Sequence, residues 1–521
     1  MTSVSQKVLY GSSLGSIGLV VANVVGVVRW LALIRLLTPY EYGVLTVAML
    51  TVLIGNLFSN LKINVAITKF ISESEAKNEF LETKKLFFSS LFLKLIISVV
   101  VGLSFFMLAE FIGLSIYGKS SVILPIRIIS LGIIPYSIFG TIYATFFGLQ
   151  EFKAGIGISV LNSILDLILS IGLILAGLSV MGAVIGYLLA ICLTAIAGII
   201  LILKKLSPLE QNILSLISLK VMKNIVSFGS WIIVSALLSF FYEYFNALVL
   251  SASLTEVEIA YFQVAMHLSG FLYIFSNPFY QALLPIQTEL QAENQHVLHA
   301  RVYRDTIKFL ASILIPILVL GFIFAGSLIS FIAGDQYGFS VIPFRILLFR
   351  SLFYGLSVSI GPTLISMNRQ DILTKIHLIQ ALISVLTSVI LVPLYRTTGA
   401  AYAAAIPVIL GLPIGFYAIY RVFKVFPPFL STFKFAISAF LMGIFVSLIL
   451  LLSFNFLFKV VISLGLGFVS YLILEAYLQG LDNDNISMFK TLIDANPILA
   501  PLKPFINGFD KLRGTLRKRN T

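Results

Sequence analysis

The sequence predicts an all-α integral membrane protein of about fourteen transmembrane helices, arranged as two six-helix lobes related by a pseudo-two-fold axis plus two C-terminal helices. Three observations lead there. The 521 residues are 59% hydrophobic and only 11% charged, with a mean hydropathy of +1.04. A soluble domain does not bury that much apolar surface, whereas a lipid-spanning helix needs about 20 apolar residues, a run this chain offers almost without pause. The stretch LTPYEYGVLTVAM from Leu37 to Met49 returns about 217 residues later as LTEVEIAYFQVAM, from Leu254 to Met266. The repeat continues beyond that corner: Pro125-Ile126-Arg127-Ile128 matches Pro343-Phe344-Arg345-Ile346, and Gly182-Ala183 matches Gly399-Ala400. Six spans per repeat is an even number, so both lobes insert with the same polarity, as in transporters with parallel repeats.

Taken in order, the spans are expected at 10–36, 42–67, 86–110, 122–147, 154–177, 181–203 and 225–251. The others are expected at 257–283, 307–332, 341–366, 372–394, 399–421, 432–453 and 457–479. The corner after the first span carries its own helix-start signal. Thr38 reads as the N-cap, Pro39 as the first helical residue and Glu41 as the returning acid, and Thr255 with Glu258 rebuilds the same cap. The domain reading follows: an N-lobe at 1–205, an inter-lobe linker at 206–224, a C-lobe at 225–424, spans thirteen and fourteen at 425–480, and a tail at 481–521. Pro135, Pro278, Pro316, Pro362, Pro407 and Pro413 fall inside spans, where such breaks often mark hinges.

Charge sets the expected orientation. The net charge is +13. Basic residues gather on one face (Lys69, Lys77, Lys84, Lys85, Lys153, Lys204, Lys205, Arg301, Arg304, Arg369, Arg421), while Arg35, Lys119, Arg396 and Lys459 fall on the other. The positive-inside rule then puts both termini in the cytoplasm of a multi-pass cell-membrane protein. In this setting the basic excess speaks for cytoplasmic loops and against nucleic-acid binding. The tail places Ile506, Phe509, Leu512 and Leu516 beside Lys511, Arg513 and Arg517, the pattern of a basic amphipathic helix on an anionic leaflet or of a solvated tail. The single cysteine, Cys192, excludes an intramolecular disulfide, and no removable signal peptide is expected.

Enzyme-like patterns occur but lack context. Gly113 to Ser120 fits a phosphate-binding loop letter for letter, yet no strand is expected before it. Gly11 to Gly15 fits a nucleophile elbow without a sheet. His296 and His299 with Glu289 and Glu293 read as a solvated face in preference to a metal site. No enzyme, cofactor or metal is expected.

The informative residues are ionisable groups inside spans, each costing about 2.5–3.5 kcal/mol at a helix centre and therefore pointing to a cavity or an ion path. Arg29, Glu243 and Arg350 lie deep, whereas Lys94, Arg127 and Arg345 lie near span ends, where a long side chain can snorkel. In the repeat Arg29 corresponds to Asn246, with Glu243 one turn away. A cavity with net positive walls suits an anionic substrate, because arginine's planar fork matches phosphate. The candidate substrate-binding set is Arg29, Arg127, Arg345, Arg350, Glu243 and Asn246, with Tyr242 and Tyr244 as aromatic surfaces beside them. Asp166 and Glu243 are the candidates for ion coupling.

The chain resembles the polysaccharide-export and oligosaccharide-flippase branch of the multidrug/oligosaccharidyl-lipid/polysaccharide exporter superfamily. The carrying residues are IRLLTPYEYGVLTVAML (Ile34 to Leu50), INVAITKFISE (Ile63 to Glu73), FGLQEFK (Phe147 to Lys153), Pro278, Pro285 and GAAYA (Gly399 to Ala403). The resemblance implies two six-helix lobes around a central cavity and a lipid-linked oligosaccharide moved between leaflets by alternating access. It implies as partners that substrate, membrane lipid, and the glycan polymerases or glycosyltransferases of cell-surface glycan synthesis. The rival readings are a cation-coupled exporter of small amphipathic drugs and a non-transporting scaffold of a glycan-assembly complex. The lipid-II flippases of this architecture pair the span-one arginine with an adjacent acid, whereas here Arg29 is followed by Trp30.

Overall fold

The computed structural model describes residues 21–60, 63–206, 212–451, 456–478, 480, 508 and 510. Every regular element among the described residues is helical. Among the described residues, seven helices are long and apolar enough to cross a membrane, or eight if the pair Ser120–Ser130 and Ile133–Gly148, bent by 43°, makes one span. Two of the seven, Phe152–Lys205 and Gln370–Phe423, run for 54 residues each. At about 1.5 Å per residue a straight helix of that length would reach about 80 Å, far more than one bilayer core. Each instead folds back on itself. The first reverses at Gly177 (φ 92°) and Ser179 (φ 49°, ψ −131°), the second at Arg396 (φ 54°, ψ −131°). These are the places where spans five and six, and eleven and twelve, are expected to part.

The repeat is written in the backbone as well as in the letters. Left-handed turns at Asn78 and Asn294 share φ 57°, and each leads into a helix of 28 residues, Phe80–Met107 and His296–Ile323. Gln150 and Asn368 form a second matched pair, at φ 58° and 57°. Gly182 and Gly399 do the same job in the two hairpins. A Cβ on Gly182 would sit 2.8 Å from the carbonyl carbon of Leu173, and one on Gly399 would sit 1.8 Å from the carbonyl oxygen of Leu391. Only glycine lets the two arms close that tightly.

Several expected spans are each carried by two helices, among them the second and the eighth. The second, 42–67, is divided between Pro39–Asn60 and Ile63–Ala76, and the Asn60 and Asn64 amides on either side of the join both accept from Lys94. The eighth, 257–283, is divided between Glu256–Gly270 and Tyr273–Ala292, just after a Ser269-Gly270 step that weakens helix propensity.

The chain divides into two compact units. One comprises Met1–Gln263 with Ile332–Gln336, the other Val264–Phe331 with Tyr337–Thr521. The stretch expected as a linker, 206–224, lies within the first unit. The short Ile332–Gln336 segment also belongs there, because Arg35 Nε donates to the Ile332 carbonyl at 2.8 Å. The first unit's interior is built around Ile63, Ile67, Ile71 and Ile225 in one cluster and Phe87, Ile142, Phe146 and Ile202 in another.

Candidate functional site

The Leu37 to Met49 corner orients the first unit, and its cap forms as the spacing predicts. Thr38 N–H donates to Glu41 Oε2 at 2.8 Å, and Glu41 N–H returns to Thr38 Oγ1 at 3.3 Å. Thr255 N–H donates to Glu258 Oε2 at 3.1 Å in the repeated corner. The two corners touch: a Cβ on Gly43 would lie 1.9 Å from the Glu256 carbonyl oxygen. Ser121 Oγ donates to Glu256 Oε1 at 2.7 Å, and Ser179 Oγ donates to Glu41 Oε1. Lys119 Nζ donates to the Ser251 carbonyl at 2.6 Å and to the Tyr117 carbonyl at 3.0 Å, placing a cation on the C-terminal end of the Leu219–Ser253 helix. Burial lowers the Lys119 pKa, and the charges of Glu256 and Glu258 oppose the shift. The apparent phosphate-binding loop is thus a π-turn over Ile112–Ile116 followed by a 3₁₀ turn over Ser120–Val122, with its lysine engaged by main-chain carbonyls.

Within this frame the helix at 21–36 carries Arg29 to the helix Phe152–Leu173, where Arg29 Nε lies 3.0 Å from Asp166 Oδ1. The two side chains are only 18% and 12% exposed. Asp166 also accepts from Ser170 Oγ at 2.9 Å. Asn162, Asp166 and Ser170 stand four residues apart on one helix face, so this stripe is polar inside an otherwise apolar helix. Among the described residues, Arg29 Nη2 and Asn162 Oδ1 are buried without a hydrogen-bond partner. Next to Arg29, Trp30 Nε1 donates to the Tyr42 hydroxyl at 3.0 Å, tying this helix to the one that follows the corner. Asp166, expected as an ion-coupling residue, is therefore the partner of the residue expected to bind substrate.

A second buried cation departs from expectation. Lys94 does not snorkel: its side chain is 1% exposed, and Nζ donates to Asn64 Oδ1 at 2.6 Å and to Asn60 Oδ1 at 3.4 Å. The signal that would have found it is the Asn60/Asn64 pair, two amides one turn apart in an apolar stretch.

In the second unit, Arg350 Nη1 donates to the Tyr273 hydroxyl, and its guanidinium lies 6.0 Å from the centre of that ring. Tyr354 packs on Tyr273 with ring centres 4.7 Å apart. Arg350 Nε is buried and has no hydrogen-bond partner among the described residues. The pairing of Arg350 with Tyr273 is not legible in sequence, because Tyr273 lies on another helix.

The remaining candidates are placed as follows. Arg127 forms an exposed ion pair with Glu110 at 3.3 Å. Arg345 Nε donates to the Phe322 carbonyl at 3.1 Å and its guanidinium lies 4.8 Å from that residue's ring centre. Both arrangements are those of cations near helix ends. Asn246 is buried and Tyr244 half-buried. The side chains of Tyr242 and Glu243 lie outside the described residues. His299, expected on a solvated face, is fully buried, with Nε2 3.3 Å from Ser366 Oγ and its ring edge against Phe423. Among the described residues no cluster of three metal-ligating side chains occurs.

The geometry has counterparts in solved structures. The lipid II flippase MurJ, in an inward closed conformation, superposes with a TM-score of 0.72 at 18% identity, over 89% of this chain and 98% of that one. A multidrug resistance MATE family transporter of the MOP superfamily, inward-facing, superposes with a TM-score of 0.62 at 15% identity, over 76% of this chain and 95% of that one. These neighbours share the fold. A curated relative, the probable low-salt glycan biosynthesis flippase Agl15 of Haloferax volcanii, is 21% identical over 189 residues, which is 36% of this chain and 40% of that protein. Residues 32–342, well over half of the chain, match the family described as "Polysaccharide biosynthesis protein". The all-helical fold, the repeated corner and this match agree with the resemblance read from the sequence, and the chain belongs to the polysaccharide biosynthesis protein family.

Proposed function

We propose that the chain is a flippase carrying a polyprenyl-(pyro)phosphate-linked oligosaccharide from the cytoplasmic to the outer leaflet by alternating access. The observation that carries this reading is the Arg29 guanidinium, buried and held to Asp166 through Nε, with Nη2 left without a hydrogen-bond partner among the described residues. A buried, unsatisfied arginine edge is costly unless a ligand takes it up, and phosphate oxygens fit its planar donors. Family membership and the relative named as a glycan flippase support the same reading.

In this mechanism the substrate phosphate competes with Asp166 for Arg29. A ligand shifts a conformational equilibrium only through differential affinity for its two states, and a competed ion pair supplies such a difference. Arg350 on Tyr273, with Tyr354 packed against that ring, joins a cation to an aromatic pair, a surface chemistry suited to sugar rings. The lipid tail stays in the bilayer. Opening toward the outer face requires the Gly43–Glu256, Ser121–Glu256 and Lys119–Ser251 contacts to part.

The test is reconstitution into liposomes carrying a fluorescent polyprenyl-pyrophosphate oligosaccharide, with accessibility of the label to a membrane-impermeant quencher as readout. The flippase reading expects exchange between leaflets well above protein-free vesicles. Exchange no faster than in protein-free vesicles contradicts it.

A further inference from the structure

The second unit contains a cavity of about 800 Å³ that the flipping reading leaves unused. One wall is the start of the helix His296–Ile323, which presents Arg301, Arg304 and Lys308. Asp305 is the acid on that wall, and it lies 3.8 Å from Arg301, so the lining keeps a net positive charge. The opposite wall is apolar. The helix Gln370–Phe423 ends at Lys424 in a left-handed conformation (φ 57°), and Val422 and Phe423 before that exit and Val425 after it line the cavity. Main-chain N–H groups in the first turn of the His296–Ile323 helix add to the positive field.

The internal repeat shows that the fold does not require the cations at Arg304 and Lys308, whereas Arg301 stands where the first repeat has Lys85. The helices Phe80–Met107 and His296–Ile323 have equal length and follow the same left-handed turn. Aligned on that turn, Arg304 and Lys308 stand where the first repeat has Phe88 and Phe92, and Phe88 is buried in its own core. Charge has been placed in the second copy at positions that the first copy fills with aromatic side chains. The site lies in the first turns of a helix whose continuation from Phe309 is apolar, at the depth where a membrane-spanning helix meets headgroups. A free phosphate would fill a small fraction of such a volume, whereas a headgroup with the upper part of its acyl chains would use both walls.

We propose that this pocket binds a lipid-borne phosphate, with Arg301 and Arg304 on the phosphate and Val422 and Phe423 against the chain next to it. The inference is independent of the role assigned to Arg29. The shared chemistry admits two sources, an anionic phospholipid of the bulk membrane or the polyprenyl phosphate of a carrier lipid.

Native mass spectrometry of the purified full chain, titrated with phosphatidylglycerol, phosphatidylcholine of the same acyl chains, polyprenyl phosphate or inorganic phosphate, reads the site directly. Arg301 and Arg304 are both exposed, so Arg301→Gln/Arg304→Gln is expected to fold, which its elution profile checks. The expected result is retention of an anionic lipid over phosphatidylcholine, weakened about tenfold or more in that double variant. The control Lys84→Gln/Lys85→Gln, on the matching helix of the first repeat, should bind as the parent does. Retention of phosphatidylglycerol identifies bulk lipid as the source, and retention of polyprenyl phosphate alone identifies the carrier. Equal retention of phosphatidylcholine, full competition by equimolar inorganic phosphate, or unchanged binding in the Arg301→Gln/Arg304→Gln variant would overturn the proposal.

Discussion

Arg29 and Asp166 each leave water only because the other is there. Breaking a buried pair by removing one partner costs about 3–5 kcal/mol, because the survivor stays buried and charged. Asp166→Ala should therefore unfold at markedly lower temperature in detergent, and Arg29→Ala/Asp166→Ala should recover most of that loss; a double variant no more stable than Asp166→Ala would show that the pair is not what holds these helices. Arg29 was legible in sequence as a deep intramembrane cation, and so was Asp166 as an acid. Their pairing was not, because residues 137 positions apart meet only once the helices are packed. The repeat pointed instead to Glu243, whose side chain lies outside the described residues. The nearness of Lys94 to a span end allows snorkelling, but depth along a helix says nothing of which face is buried, and its side chain turns inward to Asn64 and Asn60.

At the scale of elements, the corner at Leu37 to Met49 was fully legible, since a capping box is a local pattern whose bonds depend on four consecutive residues. Thr38→Ala should cost about 1 kcal/mol of stability, the usual loss of an N-cap. Pro39→Ala should cost less, because proline at the first helical position acts mainly on the unfolded chain. Gly43→Ala should be worse than either: its methyl would lie 1.9 Å from the Glu256 carbonyl oxygen, a main-chain atom that can move only if the second corner moves. If thermal melts ranked Gly43→Ala as the mildest of the three, the contact between the corners would not be a tight one. The hairpin turns were legible as span boundaries. Their shared ψ of −131° at Ser179 and Arg396 was not, since nothing in a serine or an arginine marks a left-handed position.

At the scale of the whole molecule, hydropathy and the repeat specified an all-helical membrane protein, and the matched turns at Asn78/Asn294 and Gln150/Asn368 carry the same repeat in the backbone. The orientation is an independent prediction, resting on the distribution of Lys and Arg. Cysteines placed by Asn78→Cys and Gln295→Cys should resist an impermeant maleimide in intact cells and react after permeabilisation; labelling of either in intact cells would reverse the topology.

The central claim, that Arg29 takes the substrate's phosphate, is tested most directly by the rate of leaflet exchange in proteoliposomes for Arg29 variants matched for insertion. Arg29→Lys keeps the charge and loses the planar fork, so it should slow exchange of a polyprenyl-pyrophosphate oligosaccharide, and Arg29→Ala should reduce it to the protein-free rate. Because the ion pair alone is restored to balance when both charges go, the decisive variant is Arg29→Ala/Asp166→Ala. The account predicts that it regains stability but not transport; exchange at the parent rate in that double variant would contradict the claim.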